Sequence, residues 1–257
     1  MHDSLGDRMK GQYEHRTRYF LPRRTYTIIR VDGKAFHSYT RGCVEPFDAP
    51  LMDAMDRTAM YLCGEMQGSV LAYVQSDEIS VLLTDFAKPT TDAWFDGNVQ
   101  KIASVSASLV SAYFNDIRRG VSPRMACFDA RVFTIPDPVE VENYLIWRQQ
   151  DATRNSIQMV AHTLYSHKQL HGANVNEMQD MIFQKGINWN DYSGGCKRGR
   201  VVVEGAERGW VIEAPPVFTQ EREYLRVRIP LLSAWSLAPA PERSEATPAE
   251  RPDGVRP

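Results

Sequence analysis

The sequence predicts an α+β protein whose first half follows the ferredoxin-like order of strand, helix, strand, strand, helix, strand. Three patterns support this: short runs of β-branched and aromatic residues, two stretches with apolar residues at helical spacing, and two runs joined by a polar tip. In this topology the first and third strands lie antiparallel and side by side. The C-terminal end of the first strand therefore adjoins the start of the third. Further helices and a small antiparallel β addition are expected in the second half.

The elements of the first half follow one another in order. Thr25 to Asp32 is predicted to be the first strand, and its adjacent Ile28 and Ile29 indicate burial on both faces. Residues 72–83 are predicted to form a hairpin of the second and third strands, and Phe128 to Ile135 the fourth strand. Apolar stripes mark the two helices: Leu51, Met55, Ala59, Leu62 and Met66 in one, and Ile102, Val105, Leu109 and Ala112 in the other.

The tip of the hairpin, Gln75-Ser76-Asp77-Glu78, carries two adjacent acids. A solvated turn is the simpler interpretation of this tip alone, because Ser, Asp and Glu are common in turns. The first strand, however, also ends on an acid, Asp32, which Gly33 follows. The topology brings these carboxylates to one edge of the sheet, where they repel one another unless a cation lies between them.

Two carboxylates at these positions predict a hard oxygen site suited to Mg²⁺. Such a pair supports two-metal phosphoryl or nucleotidyl transfer, in which one ion activates an attacking hydroxyl and the other neutralises a triphosphate. Gly33 has no side chain to block the approach of phosphates or metal to the backbone. Polymerase palms and class III nucleotidyl cyclases share this arrangement.

The composition argues against several classes of protein. The 257 residues are 43% hydrophobic and 24% charged, as expected for a globular protein of one large domain or two small ones. No apolar run reaches the roughly 18 residues of a membrane helix, and the N-terminus does not resemble a signal peptide. The four scattered cysteines predict a reduced, cytoplasmic protein and not a disulfide framework or zinc ribbon. With a net charge of −2, any nucleic-acid binding must depend on local patches.

The basic segment from His15 to Arg24 has two interpretations. It is either a solvated loop or a phosphate contact beside the first acid, in which Tyr19 and Phe20 stack on a base. A second basic turn, Lys197 to Arg200, lies far along the chain.

The second half begins with a helix that Asp137-Pro138 caps. Asn155 shares an apolar stripe of this helix with Leu145, Ala152 and Met159. Its amide therefore needs a partner, which is either the backbone or a phosphate or ribose of a ligand. The sequence alone leaves both possibilities open.

Beyond this helix, the sequence predicts another helix over Asn176 to Gln184. Three runs, R-V-V-V-E, W-V-I-E-A and Y-L-R-V-R-I-P, are predicted to form the antiparallel addition, and the residues from Ala238 onward a disordered tail. His167 and His171 are predicted to be surface residues, since no acid or cysteine stands at ligand spacing from them.

These motifs together resemble the tRNA-histidine guanylyltransferase family, and most of all its bacterial and archaeal Thg-like 3′–5′ polymerases, from about Tyr13 to Tyr192. The matching segments are Y-T-I-I-R-V-D-G-K-A-F-H, A-Y-V-Q-S-D-E-I-S, F-D-A-R-V, Y-L-I-W-R-Q-Q-D-A-T-R-N-S and K-G-I-N-W-N. The resemblance implies a palm-like catalytic domain over 1–137, a helical and β-hairpin extension over 138–237 that contributes nucleotide and tRNA contacts, and the tail over 238–257.

The resemblance also implies a site. Asp32, Asp77 and Glu78 are the implied catalytic acids, and Asp32, Asp77 and the Gly33 carbonyl bind two Mg²⁺ ions. The implied nucleotide-binding residues are Arg30, Lys34, Ala35, Phe36, His37, Ser76, Lys101, Arg131 and Asn155. The implied tRNA-binding residues are Arg16, Arg18, Arg23, Arg24, Lys197 and Arg198. The expected partners are tRNA, ATP and GTP, without a membrane, in a cytoplasmic homotetramer.

The chemistry that the resemblance implies has two steps. ATP, or GTP in some members, activates a 5′-monophosphorylated tRNA end through a 5′–5′ pyrophosphate link; the 3′-hydroxyl of an incoming nucleotide, typically GTP, then attacks and AMP leaves. The eukaryotic pattern His-Ile-Asn-Asn is here Thr153 to Ser156, which favours template-directed repair of 5′-truncated tRNAs. A family lysine and arginine are replaced by Glu45 and Asn98, so Arg41 and Arg154 are candidates for the missing phosphate contacts.

Three alternatives accompany the repair function. The first is a dedicated histidine-tRNA guanylyltransferase. The second is a nucleotidyl cyclase with the same metal geometry, which a cyclic product formed without tRNA would reveal. The third is a non-catalytic RNA-binding module of the RRM type, but the third strand, I-S-V-L-L, lacks the aromatic residues that such a module needs.

Overall fold

The computed structural model describes residues 4–207 and 209–232. Within them the α-helices are α1 (Ser4–Gln12), α2 (Ala49–Glu65), α3 (Val99–Ile117), α4 (Pro138–Leu164), α5 (His167–Leu170), α6 (Val175–Gln184), α7 (Gly194–Arg198) and α8 (Glu223–Arg226). The strands are β1 (Tyr26–Gly33), β2 (Ser69–Gln75), β3 (Glu78–Leu83), β4 (Phe128–Ile135), β5 (Arg200–Glu204) and β6 (Trp210–Glu213). None of the helices in these ranges is long and apolar enough to cross a membrane. The predicted tail over 238–257 lies outside the described residues.

All these strands belong to one antiparallel sheet in the order β4-β1-β3-β2-β5-β6. The predicted α+β class is therefore confirmed, and β4 has the predicted bounds. The predicted antiparallel addition exists as β5 and β6, which continue the sheet beyond β2.

The predicted strand over residues 224–230 is wrong, because α8 begins this segment. Leu225 and Ile229, four residues apart, are buried, whereas Val227 between them is 68% exposed. This spacing is helical, so the alternation of apolar residues in the sequence did not indicate a strand here.

The two faces of the sheet belong to different cores. Ile29 packs in a core with α2 and α3, and its neighbour Ile28 packs in a core with α4, so the predicted burial on both faces is confirmed. A third core joins the C-terminal half of α4 to α6. Helix α4 therefore covers one sheet face with its first half and anchors the helical extension with its second.

A buried carboxylate ties the C-terminal segment to α4. Glu142 is 1% exposed and accepts hydrogen bonds from Arg226 Nε at 2.9 Å and from Arg222. Burial alone raises the pKa of Glu142, but the two guanidinium groups lower it overall. The ion pairs therefore stabilise the fold above the ordinary carboxyl pKa, and this contribution is lost as the pH falls through the lowered value.

We expect removal of the carboxylate and removal of the two arginines to lower the free energy of unfolding by different amounts. Glu142→Gln should lower the free energy of unfolding by about 1.5–3 kcal/mol, because the two exposed arginines regain water. The double variant Arg222→Met/Arg226→Met should lower it by about 3–5 kcal/mol, because it leaves the carboxylate buried and unpaired. Urea unfolding at pH 7 measures both. Arg119→Met, which removes an exposed ion pair with Asp116, is the control. The reverse order of the two losses would contradict this account.

Candidate active site

A row of polar side chains crosses the sheet where β1 ends. Asp32 lies opposite Glu78 of β3 and Asp129 of β4, and Glu78 lies opposite Gln75 of β2. Directly opposite residues share one face of a sheet, which here is the face that α4 covers. Asp77 adjoins the row in the turn between β2 and β3. The prediction that acids from the first and third strands converge at one edge is confirmed.

Gly33 and Asp77 fit against each other at the end of the row. The Gly33 N–H donates to the Asp77 carbonyl at 3.2 Å. A Cβ on Gly33 would lie 2.6 Å from Asp77 Oδ2 and 2.5 Å from Phe36 Cδ2, closer than van der Waals contact allows. Ser76 takes a φ of +47°, so the backbone of the turn is strained at the residue before Asp77. A side chain at position 33 would therefore displace this carboxylate.

The Asp77 carboxyl, which adjoins the row, has a perturbed pKa. Burial raises its pKa to about 6, and the nearby charges of Asp32 and Glu78 act in the same direction, against a hydrogen bond from Ser76. A carboxylate that is disfavoured in this way gains from a neighbouring cation.

The donor set fits a magnesium ion that is also bound to substrate. Among the described residues, no group of three or more His, Cys, Asp or Glu side chains is arranged to hold a metal ion. Asp32 and Asp77 offer two carboxylates beside the Gly33 backbone carbonyl. Mg²⁺ is usually bound through one or two carboxylates, waters and substrate phosphates, so this set suffices in the presence of a nucleotide.

Glu78, the third predicted acid, is bound within the protein. Arg148 of α4 donates to both of its carboxylate oxygens, through Nε at 2.8 Å and Nη2 at 2.9 Å. Glu78 is 8% exposed and Arg148 is 4% exposed. The same Nη2 atom donates to Asp151 at 2.7 Å. Glu78 thus joins the sheet edge to α4, and its implied catalytic role stays a prediction.

A cavity of about 530 Å³ opens beside the hairpin tip, between the segment after β1, α4 and α7. This volume is typical of small-ligand sites. Of the implied site residues, it brings together Phe36, His37, Ser76, Asp77 and Asn155. Its walls also include apolar and sulfur-containing side chains, among them Val44, Phe47, Leu51, Met52, Met159 and Cys196.

Asn155 faces this cavity as an exposed residue of α4. Its Nδ2 atom lies 3.5 Å from Asp151 Oδ2. The interpretation of this amide as a buried group bonded to the backbone is therefore wrong. A ligand contact is the alternative that agrees with this position.

Five implied nucleotide-binding residues lie outside the cavity wall. Arg30 and Arg131 are opposite each other on β1 and β4, one step along the strands from the acidic row. Lys34 and Ala35 are exposed just after β1. Lys101 is exposed near the start of α3, with its ammonium group 5.1 Å from the centroid of the Phe95 ring.

The implied tRNA contacts separate into exposed and internally bonded residues. Arg16 and Arg18 are exposed, and Arg18 pairs with Glu14. Arg23 donates to Asp85 at 2.6 Å and to the Thr91 carbonyl at 2.7 Å, so it holds two loops together.

Three further implied tRNA contacts are partly or wholly buried. The Arg24 backbone N–H donates to Asp85 and its side chain to the Pro89 carbonyl. Arg198 is half-buried. Lys197 is buried and its ammonium group donates to the Asn190 carbonyl at 2.5 Å, which does not favour its implied contact with tRNA; that contact stays a prediction.

The sequence reasoning missed several residues of this site. Asp129 and Gln75 belong to the polar row, and Trp147, Arg148 and Asp151 face it from α4. The alternation of side chains along a strand could have indicated Asp129, because this residue lies at the start of the predicted fourth strand. The pairing of Arg148 with Glu78, seventy residues away, has no periodic signal.

Comparison with known proteins assigns the chain to a family. The Thg1 family, described as tRNAHis guanylyltransferase, matches residues 6–136. A solved bacterial tRNA(His) guanylyltransferase (Thg1)-like protein in complex with ATP is 46% identical, with a TM-score of 0.84 over 89% of this chain and 100% of its own. Another such structure, in complex with GTP, is 42% identical with a TM-score of 0.79 and the same coverage. The tRNA(His) guanylyltransferase of Debaryomyces hansenii is 29% identical over 215 residues, 75% of this chain and 77% of the relative.

Together, the matches and the site define a nucleotidyltransferase. The chain belongs to the tRNA-histidine guanylyltransferase family, which its motifs predicted. Membership decides against the nucleotidyl cyclase and the non-catalytic RNA-binding module.

The raised pKa of Asp77 predicts that the folded protein becomes more stable when the charge of this side chain is removed. With metal chelated by EDTA, Asp77→Asn should raise the free energy of unfolding at pH 7.5 by about 1–3 kcal/mol, given about 1.4 kcal/mol per pKa unit and some screening by solvent. Because the folded-state pKa is raised from 3.8 to about 6, the gain should be complete above pH 6 and absent below pH 3.8. Thermal and urea unfolding at both ends of this range measure it. Equal stability of the variant and the wild type at pH 7.5 would refute the perturbed state of Asp77.

The Glu78–Arg148 pair yields a double-mutant test. Arg148→Met should destabilise the protein by about 3–5 kcal/mol, because Glu78 remains buried and charged. Adding Glu78→Gln should restore part of this loss. Arg154→Met removes the exposed partner of Asp151 and serves as the control. If the double variant is no more stable than Arg148→Met, the two side chains are not coupled as described.

Proposed function

We propose that this protein adds nucleotides to the 5′ end of tRNA in the 3′–5′ direction, and that its main reaction is template-directed repair of 5′-truncated tRNAs. The observation that carries the proposal is the position of Asp77, which stands both in the acidic pair with Asp32 and in the wall of a cavity of nucleotide size. The ATP and GTP complexes of the two similar bacterial structures support a nucleotide as its ligand.

The strand order β4-β1-β3-β2, with α2 and α3 on one face, supports a ferredoxin-like palm within residues 1–137. We propose that this unit carries the reaction on its other face. Residues 138–237 would form the extension, whose helix α4 closes the cavity over the palm. The cytoplasmic location and the homotetramer stay predictions.

Two Mg²⁺ ions are the proposed cofactors, with Asp32, Asp77 and the Gly33 carbonyl as their protein ligands. When bound, they lower the pKa of an attacking hydroxyl and screen the charge of the triphosphate. Glu78 is paired with Arg148 and holds α4 in place. The protein thus leaves Asp32 and Asp77 to meet the ions.

The proposed reaction has two steps, and side chains of this protein contact the nucleotides in both. In the first step a 5′-phosphate oxygen attacks the α-phosphorus of ATP and pyrophosphate leaves. In the second, the 3′-hydroxyl oxygen of the incoming nucleotide attacks the activated 5′-phosphorus, its proton is lost, and AMP leaves. Ser76, His37 and Asn155 line the cavity for the activating nucleotide, and Arg30 and Arg131 supply positive charge on the other side of Asp32.

A dedicated histidine-tRNA guanylyltransferase is the second candidate, because the matching family and the Debaryomyces hansenii relative are described as tRNA(His) guanylyltransferases. Thr153 to Ser156 departs from the eukaryotic pattern that accompanies strict histidine-tRNA recognition. This departure favours repair.

The test uses a tRNA that lacks its first 5′ nucleotide, with each of the four bases in turn at the opposite position. Under the repair hypothesis, the added nucleotide should follow Watson–Crick pairing in the presence of ATP and Mg²⁺. Asp77→Ala should reduce addition by at least about 10³-fold through loss of metal stabilisation of the transition state. Asp53→Ala, which removes an exposed carboxylate on α2, is the matched control. Addition of G to histidine tRNA alone, whatever the opposite base, would favour the second candidate.

A further inference from the structure

Two arginines face each other behind the acidic row. Arg30 of β1 lies directly opposite Arg131 of β4, so the two guanidinium groups share one face of the sheet. Like charges in this position destabilise a sheet. The Arg30 Nε atom is buried without a hydrogen-bond partner, and Arg131 reaches Asp32 only at 3.8 Å. This pair therefore lacks full compensation within the protein, and an anionic phosphate would supply it.

A tryptophan lies over the same place. Trp147 of α4 is 47% exposed, although its neighbours Ile146 and Arg148 on the helix are buried. The guanidinium carbons of Arg148 and Arg30 lie 4.3 Å and 5.9 Å from the centroid of its ring. The Tyr144 ring contacts it edge-on at 5.9 Å. The indole is thus held in orientation by its neighbours while much of its surface faces solvent.

Core packing does not account for this side chain. Arg148 is fixed by Glu78 and Asp151 and does not need the indole to hold it. An exposed aromatic ring beside uncompensated arginines is the arrangement in which proteins stack a nucleobase and bind its phosphate.

We propose that Trp147 is a stacking platform for a nucleobase whose 5′ phosphates lie on Arg30 and Arg131. The inference rests on the proposed function and concerns its second substrate. None of these three residues lines the cavity that contains Asp77 and Asn155. The activating nucleotide and the stacked base therefore occupy two places, one on each side of Asp32. Arg30 precedes Asp32 by two strand positions, roughly 7 Å, which is within the span of one nucleotide.

The stacked base has two possible sources, which share a planar ring and a 5′ phosphate. One is the incoming nucleoside triphosphate, and the other is the terminal nucleotide of the truncated tRNA. The experiment separates them by measuring the KM for the nucleoside triphosphate and the KM for the tRNA, with a tRNA whose 5′ end is already activated. The activation step, which uses the nucleotide in the cavity, then does not contribute.

Trp147→Leu keeps apolar bulk without an aromatic face, and Trp147→Phe keeps a smaller aromatic face. Loss of stacking should raise the KM for one substrate by about 5- to 100-fold in Trp147→Leu, while Trp147→Phe stays within about threefold of the wild type. A rise for GTP identifies the incoming nucleotide, and a rise for the tRNA identifies its terminal base. Phe183→Ala, an exposed aromatic residue on α6, is the control and should change neither KM. Unchanged KM values for both GTP and tRNA in Trp147→Leu would overturn the proposed stacking platform. This holds whether or not the variant changes the oligomeric mass of the protein.

Binding alone provides a readout independent of catalysis. Titration with GTP, and separately with truncated tRNA, should quench tryptophan fluorescence in the wild type, and the part due to stacking should be absent in Trp147→Phe. If the wild type adds no nucleotide to any tRNA, the proposed function fails, yet the quenching still decides whether Trp147 contacts a base. Identical quenching in the wild type and Trp147→Phe would overturn the inference.

Discussion

The alignment of β1 against β3 is the constraint on which the site depends. A slip of one residue would turn every side chain of β1 to the opposite face and remove Asp32 from the acidic row. The core with α2 and α3 prevents such a slip, because the slip would bring the charged Arg30 and Asp32 into it in place of Ile29 and Val31. At the end of the strand the Gly33 N–H bonds to the Asp77 carbonyl, which fixes the strand end against the turn. Burial of ordinary apolar residues thus determines where the carboxylates lie.

The charges of the row are compensated unequally, and the difference indicates their roles. Glu78 is matched by a buried bidentate arginine, and Asp32 has a more distant partner in Arg131. Asp77 has no cationic partner among the described residues, and its pKa is raised to about 6. A protein selected only for stability would not keep a carboxylate in this state. Such local conflicts are expected where a ligand completes the structure.

Much of the first half of the chain could be predicted, because its elements follow regular periods. The bounds of β4 and the convergence of Asp32 with the hairpin tip both came from strand and helix patterns joined to one topology. The long-range ion pairs could not be predicted in this way. The bonds of Arg23 to Asp85 and of Arg148 to Glu78 join residues 62 and 70 positions apart. No local pattern distinguishes such an arginine from one that binds RNA. The strand predicted over residues 224–230 was wrong for a related reason. The four-residue spacing of Leu225 and Ile229 suits the period of a strand as well as that of a helix, and tertiary packing decided between them.

Helix α4 runs without a break past both proposed nucleotide positions. With its 27 residues it is roughly 40 Å long, and the 12 helical steps from Trp147 to Met159 span roughly 18 Å of it. A small tilt of such a rod changes the width of the cavity at one end and the position of the indole at the other. If occupation of one position tilts the helix, the affinity of the other position changes with it, and by thermodynamic reciprocity the coupling has the same size in both directions. The helix is thus the one continuous element that connects the two proposed nucleotide positions.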